Sequence, residues 1–114
     1  MLPLNNRLKK TKEISRVFKE GRSFKEGFLI LKTAKNNLDK SRFGFIVSQK
    51  VSKKAVIRNK VKRRLRAIID KKFQTIKTAT DNLFIVLPGL ENKDFLSIED
   101  TLNKIIKKAN LINE

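Results

Sequence analysis

The spacing of apolar residues along the chain predicts three helices. Ile14, Val17 and Phe18 stand at positions i, i+3 and i+4 with Gly21 after them, so they predict a first helix that Thr11 caps. Helical spacing returns from about Val56 to Phe73. It returns once more near the end of the chain, at Ile98, Leu102, Ile105, Ile106 and Ala109.

Three other stretches predict strands. Residues 28–33 (FLILKT) and 43–48 (FGFIVS) are short runs rich in aromatic and branched residues. The polar loop 36–40 between them favours an antiparallel hairpin. Residues 83–87 form a continuous apolar run that ends at Pro88 and Gly89, which is typical of a buried strand. The predicted order is αββαβα, an α+β or α/β sandwich with one sheet. With no linker rich in Pro, Gly or Ser, we expect a single domain over residues 1–114.

Positive charge is concentrated in part of the chain. The 114 residues contain 28 Lys and Arg against 11 Asp and Glu, a net charge of +17. Residues 49–72 hold 11 basic side chains and one acidic one, Asp70, whereas residues 73–114 hold 5 basic and 6 acidic side chains. An uneven distribution of this kind indicates a polyanionic partner rather than a general need for solubility.

Composition excludes several kinds of chemistry. Without cysteine or histidine, the chain cannot form a zinc finger, a disulfide, a thiol nucleophile or a Ser-His-Asp triad. Its acidic residues form no cluster with metal-binding spacing, so we predict neither catalytic residues nor a metal site. No apolar run approaches the ~20 residues of a membrane span. The start, Met1 to Asn6, lacks the apolar stretch of a secretory signal, so we expect a cytoplasmic protein.

The second predicted helix carries the strongest chemical signal. At ~100° per residue, one face is apolar and the opposite side is cationic. The apolar positions are Ile57, Val61, Leu65 and Ile68; the cations opposite are Lys60, Arg63 and Arg64, with Lys62 and Arg66 on one flank. A solvated face usually mixes charges, but Asp70 is the one acid here, so binding of a polyanion is favoured. Attachment to a membrane surface is a minor alternative, because the apolar face is needed to cover the strands.

The sequence around this helix resembles the protein subunit of bacterial ribonuclease P. That family carries an Arg-Asn-Arg motif followed by Lys-Arg, after a turn similar to Val-Ser-Lys-Lys; residues 51–54 (VSKK) and 58–66 (RNKVKRRLR) match it. Residues 6–10 (NRLKK), followed by Ile14, Phe18, Lys19 and Gly21, resemble its N-terminal segment. Two positions depart from the family pattern: Lys60 replaces the usual second Arg, and Ile14 replaces an aromatic residue.

The resemblance implies a fold and a role. The fold would be an αβββαβα sandwich with one mostly antiparallel sheet, a basic helix after the central hairpin, and a left-handed βαβ crossover that the general rule of right-handed connections would not predict. The role would be to bind the catalytic RNA and the single-stranded 5′ leader of precursor tRNA, assisting endonucleolytic removal of the leader. Catalytic groups and Mg²⁺ would belong to the RNA.

The resemblance also implies binding residues. The contacts with catalytic RNA would come from Lys54, Arg58, Asn59, Lys60, Lys62, Arg63 and Arg66. Asn59 has a second interpretation, as the cap of the same helix. The leader cleft would contain Lys10, Lys12, Ile14, Arg16 and Phe18, with the three cations neutralising phosphates. Phe18 would stack on a base, although packing in the core beside Ile14 and Val17 is the interpretation that the sequence itself favours.

Three other functions remain to be compared with this one. A general RNA-binding scaffold of ribosomal-protein type has the same charge but no preference for precursor over mature tRNA. A DNA-binding protein is disfavoured because a strand, not a helix and turn, precedes Val56. A free-standing nuclease would need clustered carboxylates that the sequence lacks.

Overall fold

The computed structural model describes residues 6–76 and 79–109 of the chain. The helices are α1 (Thr11–Glu20), α2 (Ala55–Lys72) and α3 (Phe95–Lys108), and the strands are β1 (Arg22–Glu26), β2 (Leu29–Lys35), β3 (Arg42–Ile46) and β4 (Thr80–Val86). Short 3-10 turns occupy Phe73–Thr75 and Leu90–Asn92. The element order is therefore αβββαβα, a single-domain α+β fold. Residues 1–5, which include most of the stretch used to argue against a secretory signal, lie outside the described part.

The strands form one mixed sheet in the order β1-β2-β4-β3. β2 is antiparallel to β1 and to β4, whereas β3 is parallel to β4. Arg7 adds a parallel bridge to Phe43 at the β3 edge. The sheet is mostly antiparallel, as expected, and the chain passes from β3 through α2 to its parallel neighbour β4. The left-handed sense of that connection stays a prediction.

The predicted hairpin between residues 28–33 and 43–48, which correspond to β2 and β3, is wrong. β2 and β3 do not pair, because β4 lies between them and hydrogen-bonds to both. The hairpin of the sheet is β1–β2, whose turn contains Gly27 at φ +54°. The apolar pattern missed β1, because it is a mostly exposed edge strand with one aromatic residue, Phe24.

The core is divided between the two faces of the sheet. The larger cluster joins α2 and α3 to β2, β3 and β4 and includes Val61, Leu65, Ile98, Leu102 and Phe84. On the other face, Val17 of α1 packs with Leu8 and Leu83. Alternation along β4 explains this division, since successive side chains point to opposite faces and both faces are covered.

The helix ends agree only in part with the sequence patterns. α1 ends before Gly21 as predicted, but Thr11 is its first residue, and Lys10 holds the N-cap position without a side-chain hydrogen bond. α3 begins after Asp94, whose side chain accepts a hydrogen bond from Ser97 N at 2.8 Å. In the described ranges, no helix is long and apolar enough to cross a membrane.

Candidate nucleic-acid interface

One face of α2 is buried and the opposite face presents cations to solvent. Val61, Leu65, Ile68 and Ile69 are buried in the larger core, which fixes the rotation of the helix about its axis. The exposed residues predicted as RNA contacts on this helix are Asn59, Lys60, Arg63 and Arg66, and Lys54 is exposed just before it. The predicted division of the helix into an apolar and a basic face is therefore confirmed.

The start of α2 is held by a hydrogen-bonded turn. Arg58 Nη1 donates to Ser52 O at 2.9 Å, and Lys54 N donates to Ser52 Oγ at 3.2 Å. Because α2 begins at Ala55, Asn59 lies inside the helix with its side chain exposed, and its interpretation as a helix cap is wrong. Val56 is 77% exposed in the first turn, so an apolar side chain stands beside the cations.

The flanks of α2 differ from each other. Lys62 and Arg66 lie on one flank, as predicted; Lys62 is half-buried, and Arg66 lines a cavity of about 280 Å³ at the edge of β3, together with Arg7 and Lys9 of the N-terminal segment. Arg64 lies on the other flank, half-buried, and its Nη1 donates to Lys93 O at 3.3 Å just before α3. Arg64 therefore differs from the prediction that placed it with Lys60 and Arg63 opposite the apolar face.

A second surface lies on the α1 side of the sheet, at the end of α1. Phe18 is 51% exposed, so the expectation that its ring packs in the core is wrong. Lys32 Nζ on β2 lies 3.9 Å from the centroid of the Phe18 ring and donates to Phe18 O at 3.0 Å. One lysine thus contacts both the ring and the backbone of Phe18 and fixes the ring at the surface.

A half-buried apolar row crosses the same face of the sheet. Ile85 of β4 is in register with Ile30 of β2 on one side and with Ile46 of β3 on the other. All three side chains remain partly exposed, because α1 covers the neighbouring part of the face. Ile14, predicted in the leader cleft, is half-buried and packs against the small cluster under α1. The row and Phe18 lie on the same side of the sheet, and we refer to them together as the apolar surface beside α1; Lys32, which lies against the Phe18 ring, is on the same strand as Ile30.

The charged residues of α1 separate into two groups. Lys10 and Lys12 are exposed at its start, as a phosphate contact requires. Arg16 differs from the expectation: its Nη2 donates to Asp81 Oδ2 at 2.7 Å and its Nη1 to Lys35 O at 3.2 Å. These bonds direct the Arg16 guanidinium to the sheet and occupy much of its donor capacity.

Asp81 is the centre of a buried polar network. Its carboxylate is fully buried and accepts hydrogen bonds from Arg42 Nε and Nη2, from Arg16 and from Asn36, all at 2.7–2.8 Å. Arg42 also contacts Glu13 of α1. Burial favours the protonated form of Asp81, but the hydrogen bonds from Arg42 and Asn36 outweigh it and lower the pKa below its usual value. The hydrogen bond to Asp81 raises the pKa of Arg42.

Two residues at these surfaces, Lys32 and Val56, were not predicted from the sequence. Lys32 alternates with buried Leu31 and Thr33 along β2, so the period of two could have placed it on the opposite face. Val56 interrupts a basic helix face with an apolar side chain, which is a detectable exception. Among the described residues, no group of three or more potential ligands is placed to hold a metal ion.

The fold and these surfaces define a basic nucleic-acid-binding domain. A family model described as Ribonuclease P matches residues 2–110. The ribonuclease P protein component of Alkaliphilus metalliredigens is 37% identical over 109 residues, covering 96% of this chain and 97% of the relative. That of Syntrophomonas wolfei is 36% identical over 111 residues, covering 97% and 92%.

Solved structures agree with the sequence relatives. The RNase P protein of Staphylococcus aureus superposes with a TM-score of 0.88 at 30% identity, covering 95% of this chain and 98% of that one. The RNase P protein of Thermotoga maritima gives a TM-score of 0.81 at 30% identity, covering 90% and 96%. The chain belongs to the ribonuclease P protein family, and its role is that of the protein subunit of this RNA-containing tRNA-processing complex.

Proposed function

We propose that the protein holds the catalytic RNA of ribonuclease P on the basic face of α2 and the 5′ leader of precursor tRNA on the apolar surface beside α1. Cleavage then releases the mature 5′ end of the tRNA in the bacterial cytoplasm. The observation that carries the proposal is the exposed cationic face of α2, which a buried apolar face holds rigidly in place.

The side chains of α2 suit a folded RNA. Arg63 and Arg66 present forked donors that match the oxygens of one phosphate, whereas Lys60 acts as a point charge. Arg58 has one nitrogen bound to Ser52 O and further donors available for RNA. Asn59 offers both a donor and an acceptor, and Val56 offers an apolar contact at the end of the same face. These residues combine attraction to the RNA backbone with positions for specific contacts.

The surface beside α1 suits a single strand. An exposed aromatic ring stacks on any unpaired base, a contact worth ~1–3 kcal/mol. Phe18 is presented in this way, and Lys32 lies against its ring, while Ile30, Ile85 and Ile46 extend the apolar surface. Lys10 and Lys12 supply positive charge at the other end of α1. Arg16 is left out of this set because it is bound to Asp81.

The contribution of the protein to the reaction is electrostatic and positional in this proposal. Its cations reduce the repulsion between catalytic RNA and substrate, and its leader contacts favour the precursor over the product. Mg²⁺ held mainly by the RNA would supply the activated water and stabilise the leaving oxygen. A general RNA scaffold is not favoured, because the family match covers residues 2–110. DNA is not proposed as a partner, since no helix-turn-helix pair is present in the described part of the chain.

Single-turnover cleavage of a precursor tRNA at low Mg²⁺ tests the proposal. The reactions contain bacterial catalytic RNA alone, the RNA with the wild-type protein, or the RNA with an Arg58→Ala/Lys60→Ala/Arg63→Ala variant. We expect the wild type to restore cleavage and the variant to restore much less of it, because three phosphate contacts are removed.

A matched control removes the same charge elsewhere. Lys104→Ala/Lys107→Ala/Lys108→Ala removes three exposed positive charges on α3, outside both surfaces, and is expected to support cleavage nearly as well as the wild type. Absence of rescue by the wild type, with equal binding of precursor and mature tRNA, would contradict the proposal and favour a general scaffold.

A further inference from the structure

The helix α1 rests on the sheet through a narrow apolar contact. Val17 is its buried residue and packs with Leu8 and Leu83, and Ile14 is half-buried beside them. Apolar burial holds a helix near a sheet but has no preferred direction. With so few apolar side chains beneath it, the rotation of α1 about its own axis depends on other contacts.

Those contacts lie on one flank of α1. Measured around the helix axis from Val17 at ~100° per residue, Glu13 and Arg16 lie about 40° and 100° away in the same sense. Arg16 Nη2 donates to Asp81 Oδ2 at 2.7 Å, and Arg42 donates to both oxygens of the same carboxylate. Arg42 is also paired with Glu13. Charge-assisted bonds of this kind are short and directional, so they fix the orientation of this flank against β3 and β4. We call the four residues the α1 anchor: Glu13, Arg16, Arg42 and Asp81.

The opposite flank of α1 presents the Phe18 ring. Ile14 and Phe18 lie about 60° and 100° from Val17 in the other sense. The Phe18 ring is exposed, and Lys32 Nζ lies 3.9 Å from its centroid. At a radius of ~5–6 Å from the helix axis, a rotation of about 20° would shift a side chain by about 2 Å relative to Lys32 and the sheet. The rotation of α1 therefore decides where this ring stands.

We propose that the α1 anchor positions the Phe18 ring for the leader of precursor tRNA. By fixing the rotation of α1, it holds the ring where an unpaired base stacks on it. The inference rests on the proposed function and adds four positioning residues, which act through Phe18 without touching RNA. A ring that is already in place binds a base at a lower entropic cost than one that has to be ordered first, so the anchor increases affinity for the leader.

The charges of the anchor separate this role from simple attraction to RNA. Two of its four members, Glu13 and Asp81, are acidic. Removing a negative charge from a protein that binds a polyanion strengthens binding when charge alone matters. If Glu13 positions the Phe18 ring through its pairing with Arg42, the same change weakens binding of the leader. The two roles therefore predict effects of opposite sign.

Binding of precursor tRNA to the holoenzyme tests the sign of the effect. Glu13→Gln should weaken binding of a precursor with a long leader by about 3- to 10-fold, a part of the stacking contact of Phe18. Its binding of mature tRNA and of the catalytic RNA should be unchanged or slightly tighter. Glu20→Gln is the matched control, because it makes the same change on the same helix at an exposed residue that lies 3.7 Å from Arg16. The control should bind the precursor at least as tightly as the wild type does, and equal effects of the two variants would overturn the inference.

A double-mutant cycle tests whether the anchor acts through the ring. In a Phe18→Ala background, Glu13→Gln should have almost no further effect on binding of the leader, because the group that it positions is missing. A loss of the same size in both backgrounds would show that Glu13 affects binding by another route, and would overturn the inference.

A variant that is destabilised elsewhere completes the comparison. Ile105→Val removes a methyl group from the larger core, on the other face of the sheet, and should leave binding of the leader unchanged. If it weakens that binding as much as Glu13→Gln does, a general loss of stability explains the effect and the inference is overturned. If Glu13→Gln keeps the full preference for the precursor and Phe18→Ala loses it, the anchor fails and the proposed function stands. If the wild type itself shows no preference for precursor over mature tRNA, the proposed function fails.

Discussion

At the scale of single residues, Phe18 is notable because helical spacing assigned its ring to the core while the structure places it 51% exposed. Position i+4 from Ile14 lies on the edge of the apolar stripe of α1; Val17 is the buried residue of this helix, and Ile14 packs half-buried beside it. Whether a side chain at the edge of an apolar stripe is buried depends on how much of the sheet the helix covers. The spacing of apolar residues within one helix does not show this.

Phe18→Ala should weaken binding of precursor tRNA to the holoenzyme by about 5- to 150-fold, the range expected for one stacking contact. Its effect on the free energy of unfolding should be small, because the ring is half exposed. Equilibrium binding with precursors that differ in leader length measures the effect, which should vanish when the leader is removed.

Phe28→Ala is the matched control, since Phe28 is 39% exposed and lies against Gly89 and Lys93 at the other end of the sheet. An equal loss of binding for both variants, or a loss that persists with mature tRNA, would contradict a stacking role for Phe18.

At the scale of elements, the Asp81 network attaches α1 to two strands. Asp81 lies on β4, Arg42 on β3, and Arg16 and Glu13 on α1, so four side chains join three elements under a helix with a small apolar contact. No local sequence pattern indicates this arrangement. Asp81 directly precedes a buried apolar run, and its partners Arg42 and Arg16 lie 39 and 65 residues away along the chain.

Asp81→Asn should lower the free energy of unfolding by about 2–3 kcal/mol at pH 7. This is less than for a fully buried pair, because Arg42 keeps Glu13 and Arg16 is partly exposed. Folding lowers the pKa of Asp81. The charge of Asp81 therefore contributes fully to the free energy of unfolding above the pKa of the unfolded state, ~3.9. That contribution is lost as the pH falls through the lower pKa of the folded state. The difference between wild type and variant should therefore shrink below about pH 4.

Urea unfolding at pH 7 and near pH 3 measures this difference. Asp39→Asn makes the same chemical change at an exposed loop residue and should alter the free energy of unfolding by less than about 0.5 kcal/mol. A difference between Asp81→Asn and wild type that stays constant down to pH 3 would show that the carboxylate charge is not what stabilises α1.

How much of the fold was predictable varied with the kind of element. α2, α3 and the buried strand β4 follow from local apolar periodicity, and their predicted positions are confirmed within a few residues. β1 and the true partner of β3 do not follow from it. Strand pairing is a long-range property: β4 enters between β2 and β3 after α2, and no local pattern in the 36–40 loop distinguishes that from a hairpin.

At the scale of the whole molecule, the net charge of +17 predicts a strong dependence of RNA binding on salt. If ~6–8 phosphates are neutralised, log K plotted against log[salt] should have a slope of roughly −4 to −7. The Arg58→Ala/Lys60→Ala/Arg63→Ala variant should reduce the steepness by about 2–3, and the α3 control variant by much less. Binding titrations at several potassium concentrations measure both slopes. Equal slopes for the two variants would indicate that RNA binding depends on the total charge of the protein and not on the basic face of α2.

The order of strands in the sheet also affects when the protein can fold during synthesis. β4 is the penultimate regular element of the chain, yet it supplies the pairing partner for both β2 and β3. When a ribosome has synthesised only the first seventy-odd residues, the segment of α2 is complete but β4 has not been made. The sheet that α2 packs against is therefore incomplete. Contacts such as Leu29 with Val86 close long loops, which slows folding. Until the final third of the chain emerges, the α2 segment therefore lacks the complete sheet against which its apolar face packs, while its cations are already open to any nearby RNA.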